Sequence, residues 1–350
     1  MRRTIPVLRG LAILAVIFNH ANWHVLSQFA ARDPRGYPFL VFDQIGKFAI
    51  PAFMAIAGYF IAYATSGGKR DLPWSVVRAR LENLLWPWLI WSVILTVGQS
   101  FQGRSISGGE FLRNLVIQYY FIPLLIVHYL VAPFVVKWAR SNARSLLVGA
   151  AVVQLLAVAL FYARAYHAGF PGVLKSWVDL GPLQYLRFAF YFPFGVVCGM
   201  FPRMITDALA RFRPILPWLT LLLFSLSVVE AAMAYHVGGE MWPIGGDQTK
   251  LSSALFSTGL VLCFAVYDRL RVPGDRAVKS LGTHSYGLYL CHYPVLGVLA
   301  KVVELGTPWL ASQGWLFLPL LFGLTVGFSM LLMESLARLP TKRIYRYLFG

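Results

Sequence analysis

Long apolar stretches, broken at short intervals by clusters of arginine, lysine, glycine and proline, run the whole length of the chain. A window of about 20 apolar residues suits the hydrocarbon thickness of a bilayer. Ten such windows occur, near 5–26, 45–64, 82–101, 115–136, 145–163, 182–202, 214–235, 251–267, 280–300 and 315–335. The fourth, "YYFIPLLIVHYLVAPF", is dense in aromatic residues and proline. Proline is tolerated inside a span when neighbouring helices satisfy the freed carbonyls. The connections are short, and no linker, repeat or second soluble domain is evident. The pattern predicts an all-α polytopic membrane protein of about ten transmembrane helices, folded as one domain over residues 1–350, with no fused soluble domain.

Composition supports this reading. Of 350 residues, 58% are hydrophobic and 13% are charged, against roughly a quarter charged in a soluble protein. The net charge of +17 would suggest nucleic acid in a soluble chain. Here it is better read as basic loops on the cytoplasmic face of a membrane, and no nucleic-acid partner is expected. Counted over alternate connections, one side takes 20 Lys and Arg and the other takes 8. That asymmetry predicts both termini in the cytoplasm. Cys198, Cys263 and Cys291 lie in apolar runs without CxxC spacing and read as buried small hydrophobes. No cleavable signal peptide is expected, because Asn19, His20, Asn22 and His24 interrupt the first apolar segment.

Three basic residues, Arg9, Lys47 and Arg187, fall inside spans. In "RGLAILAVIFNH", Arg9 and His20 are eleven positions apart, about 16 Å of helical rise. At 100° per residue their angular offset is about 20°, so both face the same way. Snorkelling accounts for Arg9 alone, and an interhelical hydrogen bond for His20 alone. Their joint placement on one face is harder to account for in that way, since intramembrane ionisable residues normally mark pathways or reaction sites. In the ninth window, Ser285, Tyr289 and His292 follow i, i+4, i+7 and share a face, either as a reaction surface or as a hydrogen-bonded packing seam. In the second window, Ala55, Ala57 and Gly58 permit close helix approach. Asp43, just outside it, is placed to partner Lys47 or a histidine of the first span. Arg78 and Arg80 enter the third span where a polyanion could approach, or serve as ordinary positive-inside charge. Signatures of nucleotide hydrolysis, metalloprotease chemistry and a serine esterase elbow are absent from the sequence, and no metal site is expected.

Four stretches, taken in order, resemble the membrane-bound acyltransferase-3 family. "VLRGLAILAVIFNH" resembles the family's opening helix, with its arginine and histidine at Arg9 and His20. "AIPAFMAIAGYF" is similar to its proline–small–phenylalanine segment, with Ala57 where serine is usual. "RLENLLWPWLIW" resembles the basic entry to the third helix, where Arg80 is followed by Asn83 at the position of a frequent second arginine. "LGTHSYGLYLCHYPV" resembles the Ser-Tyr-x-x-Tyr-Leu-x-His-x-Pro segment.

The resemblance implies an acyl-CoA donor, acetyl-CoA above all, and an acceptor hydroxyl on a cell-envelope carbohydrate or lipid-linked carbohydrate. Arg9, Arg78 and Arg80 are then the residues for the donor's phosphates. The pantetheine arm is long enough, on the order of the three helical turns between Arg9 and His20, to carry the thioester to His20. His20 would act as general base or as acyl carrier, with His292 and Tyr289 polarising the carbonyl or orienting the acceptor. A secondary transporter or flippase is the alternative reading, with the same polar stripe as a substrate path. Against it stand the lack of paired half-chain repeats and the few acidic residues in the spans. Against a non-catalytic scaffold stand the intramembrane histidines.

Overall fold

The computed structural model describes residues 4–65, 67, 70–101, 103, 106–165, 182–237, 245–267, 272–338 and 342–350. Of the basic loop residues counted above, Arg2, Arg3, Lys69, Arg104, Lys175, Arg269 and Arg271 lie outside them. In chain order the α-helices are α1 (Ile5–Leu26), α2 (Tyr37–Ile45), α3 (Ala49–Ala64), α4 (Trp74–Ser100), α5 (Gly108–Arg113) and α6 (Phe121–Ala165). There follow α7 (Pro182–Leu186), α8 (Tyr191–Met200), α9 (Pro202–Leu209), α10 (Leu216–Val237), α11 (Leu251–Val266) and α12 (Asp275–Thr283). The last four are α13 (Ser285–Gly306), α14 (Pro308–Ala311), α15 (Gly314–Ala337) and α16 (Lys342–Phe349). No strand occurs among the described residues, so the fold is helical and polytopic.

The span count departs from ten. Among the described residues, seven helices are long and apolar enough to cross a bilayer, and an eighth span results if the pair Leu183–Met200 and Pro202–Phe212, bent by 103°, is counted as one. Two differences account for the shortfall. The windows at 115–136 and 145–163 lie on either side of the break at Asn142 (φ −156°, ψ 90°) in α6, which is two helices end to end and counts as one candidate span only when taken whole. Its two arms, 121–141 and 143–165, are each about 32–35 Å long, enough to cross a hydrocarbon core of roughly 30 Å. The window at 251–267 becomes α11, only 16 residues long.

α1 is the hub, packing against α2, α3, α12, α13 and α15. Because hydrocarbon supplies little hydrophobic drive between helices, close approach must come from small residues. A Cβ built on Gly58 would meet the Phe192 carbonyl oxygen at 2.1 Å, and one on Gly195 would meet that of Ala55 at 1.9 Å. Backbone therefore lies on backbone between α3 and α8, the most extensive helix pair. Gly10 against the Val278 carbonyl, at 1.9 Å, and Gly282 against that of Pro6, at 2.4 Å, press α12 onto α1 in the same way. The three cysteines are buried and unpaired.

Candidate active site

α1 and α13 lie side by side in the same direction, and their polar faces meet. At the start of α13 the Arg9 guanidinium donates to Ser285 Oγ at 2.8 Å. Further along, the His20 ring stands 5.2 Å from that of His292 and 5.3 Å from that of Tyr293. The Tyr289 ring lies 5.8 Å from that of His292. His292 is buried. Its Nδ1 sits 3.0 Å from the Leu288 carbonyl oxygen, which can only accept, so that nitrogen carries the proton. Its Nε2 is buried without a hydrogen-bond partner. An orphaned nitrogen in apolar surroundings costs roughly 1–3 kcal/mol, a cost that a substrate proton would relieve.

At the arginine end, a cavity of about 560 Å³ is lined by Arg9, Arg80, Asn83, Tyr286, His284 and Arg346, among others. It shares Arg9, Arg80, Tyr129 and Tyr286 with a second cavity of about 230 Å³, also lined by Phe53, Ala57, Phe121, Ser285 and Tyr289. The Arg80 guanidinium lies 5.9 Å from the Tyr129 ring centre, and its Nε is buried without a partner. The mouth is cationic, and the passage beyond it is aromatic and narrow.

At the other end of α1 a cavity of about 660 Å³ is lined by His20, Asn19, Asp43, Lys47, Arg187, Asp247, Gln248 and Tyr293, among others. Its polar groups are tied together. Lys47 Nζ lies 2.7 Å from Asp43 Oδ2 and donates to the Gly246 carbonyl oxygen at 2.6 Å. Asn19 Nδ2 donates to Asp43 Oδ1 at 2.8 Å. Lys47 therefore does not snorkel: its partner is the aspartate one helical turn before it. Arg187 donates to Asp247 Oδ2 at 2.9 Å and to Thr249 Oγ1 at 2.5 Å, and its guanidinium stacks 4.3 Å from the Phe161 ring centre.

Of the residues expected from sequence, His20, His292 and Tyr289 form one cluster, and Arg9 and Arg80 share one cavity. Arg78 does not join them. Its side chain is 81% exposed and bonds Glu82 at 2.7 Å, because two residues on a helix are about 200° apart. Sequence reasoning missed Arg346 and the Asn19–Asp43 link, both of them long-range contacts with no spacing signal.

The family model described as "Acyltransferase domain", that of the acyltransferase-3 family, matches residues 3–334. No curated protein and no solved structure matches the chain.

Proposed function

The chain belongs to the acyltransferase-3 family, and from that premise we propose that it moves an acyl group, acetyl first among them, from acyl-CoA to a hydroxyl of a cell-envelope carbohydrate or lipid-linked carbohydrate. The observation that supports this most is the meeting of two cavities at one cluster. The arginine-lined cavity runs to Tyr289, the polar cavity runs to His20, and His292 touches both side chains. On the positive-inside reading the arginine mouth faces the cytoplasm, where acyl-CoA resides, and the membrane is the cell inner membrane.

Acyl-CoA pairs a polyanionic nucleotide with a thin, uncharged thioester arm. Arg9 and Arg80 are the groups for the phosphates, and the aromatic passage suits the arm. The acceptor hydroxyl comes from the other cavity. His20 takes its proton as the oxygen attacks the thioester carbonyl. The Nε2 face of His292 and the Tyr289 hydroxyl orient the acceptor or stabilise the charge that develops on the carbonyl oxygen. When the carbon–sulfur bond breaks, His20 returns the proton to the leaving sulfur. The products are the ester and free CoA thiol, and no proton is gained or lost. If His20 carries the acyl group itself, a trapped acyl-histidine distinguishes that route.

The test is thioester consumption by the purified protein in detergent with envelope glycan present, alongside mass spectrometry of glycans from deletion and complemented strains. Free thiol and restored glycan acylation are expected. A transporter or flippase would release no thiol, and that result would end the acyltransfer reading.

A further inference from the structure

Two of the arginines lining the wide cavity, Arg9 and Arg80, come from the spans, and a third comes from the C-terminal helix. Arg346 sits on α16, beyond the residues matched by the family. The helix is fastened by its aromatic edge. Phe349 is buried and packs 5.9 Å from the Trp91 ring, and the Trp91 indole N–H donates to the Leu348 carbonyl oxygen at 2.8 Å. Arg346 is exposed. It donates to Asn83 Oδ1 at 3.1 Å, one turn along α4 from Arg80. One guanidinium edge is thus anchored, and the other donors stay available.

The cations form two tiers. Arg9 and Arg80 line both the wide cavity and the narrow one, whereas Arg346 lines only the wide one. Acyl-CoA has a matching order. Entering acyl end first, it places pantetheine innermost, the diphosphate next, and the 3′-phosphomonoester of its ribose at the tail. We infer that Arg346 forms the subsite for this terminal phosphate and makes the protein selective for acyl-CoA over its 3′-dephospho form. This rests on the acyl-CoA reading above. A guanidinium suits the role because it grips a phosphate through two parallel hydrogen bonds. The anchor on Asn83 reduces the freedom lost when it does so.

The test is a binding cycle on the full chain in detergent. Acetyl-CoA and acetyl-3′-dephospho-CoA are titrated against the wild type and Arg346→Ala, with thermal melting to check the fold. The wild type should bind the dephospho ligand more weakly, by roughly two- to fivefold for one solvent-facing charge pair. Arg346→Ala should bind acetyl-CoA more weakly by a similar factor and should no longer distinguish the two ligands. If Arg346→Ala does not fold, Arg346→Gln keeps a donor for Asn83 and carries the same test. A variant that still discriminates, or that loses affinity for both ligands alike, would overturn the inference while leaving the donor reading intact. A wild type that binds neither ligand would overturn both.

Discussion

The imidazole rings of His20 and His292 face each other at 5.2 Å, tilted by 41°, and their surroundings differ. His20 lines the polar cavity. His292 is buried, with one nitrogen on the Leu288 carbonyl and the other unpartnered. The two histidines are therefore not interchangeable. His20→Ala should lower acyl transfer by about 10²- to 10⁴-fold, the usual contribution of a general base, with normal amounts of folded protein. His292→Gln keeps a hydrogen-bonding group but cannot exchange a proton in the same range, and it should lower turnover as well. Steady-state rates on purified variants check both. A His292→Gln enzyme with full activity would reduce α13 to a packing seam.

The two arginines of "RAR" should separate cleanly. Arg80→Ala and Arg9→Ala should weaken acyl-CoA binding by about 1.5–3 kcal/mol, the usual worth of a hydrogen bond to a charged group. Arg78→Ala should leave it unchanged, since Arg78 points away and holds Glu82. Calorimetric titration of the three variants gives the answer. Equal losses for Arg78 and Arg80 would contradict the assignment of the mouth.

The close contact of α3 with α8 should be intolerant of one methyl group. Gly58→Ala would drive a carbon into the Phe192 carbonyl and should cost about 1–3 kcal/mol through backbone displacement. Gly98→Ala on α4, where a Cβ meets nothing within 4 Å, is the control and should be neutral. Thermal unfolding in detergent compares them.

α6 should cross the membrane twice. Its length and the break at Asn142 place that residue at a membrane face rather than within hydrocarbon. In a background lacking the three native cysteines, Asn142→Cys and Ser107→Cys should react with an impermeant maleimide from opposite sides. Protection of position 142 from both sides would make the break an intramembrane kink.

Asp247 offers a stability test with a definite sign. Burial disfavours its charge, but the Arg187 guanidinium and the Thr249 hydroxyl and N–H outweigh burial and hold the carboxyl below the usual carboxylate range. A pKa lowered on folding contributes stability in full above the unfolded value, about 4, and loses it as pH falls through the folded value. Asp247→Asn should therefore melt a few degrees lower at pH 7, with roughly 2–4 °C expected for about 1 kcal/mol. The gap should hold down to about pH 5 and shrink below about pH 4. A gap that widens on acidification would contradict the pairing.

The placement of the candidate-site side chains on α1 and α13 was legible because a helical period converts spacing directly into direction. The eleven-residue step from Arg9 to His20, and the 285–289–292 stripe, needed nothing else. The same rule, applied to the two-residue step from Arg78 to Arg80, points them apart, although the family resemblance groups both with Arg9 for the donor's phosphates. Arg346 was not legible, because its bond to Asn83 spans 263 positions and depends on how α16 docks. Lys47 and Asp43 were legible as neighbours, whereas the closure of their pair by Asn19 and Gly246 was not. The ten apolar windows exceed the seven or eight long apolar helices counted among the described residues. The windows at 115–136 and 145–163 flank the break at Asn142, whereas hydropathy does not report that the window at 251–267 ends as a 16-residue helix.

The layer formed by Tyr289, His292 and His20 has a second consequence, for permeability. A polar cavity on one side of a thin aromatic layer, and an arginine-lined cavity beyond an aromatic one on the other, is the anatomy of a pore held shut. Side chains suited to proton exchange at that layer are also side chains that a wire of water could exploit. On the proposed reaction, the partition would have to insulate the membrane voltage while an acyl group is passed at it. Trimming Tyr289 to alanine would then show first as an ion or proton leak in sealed vesicles, a cost to the cell separate from the lost chemistry.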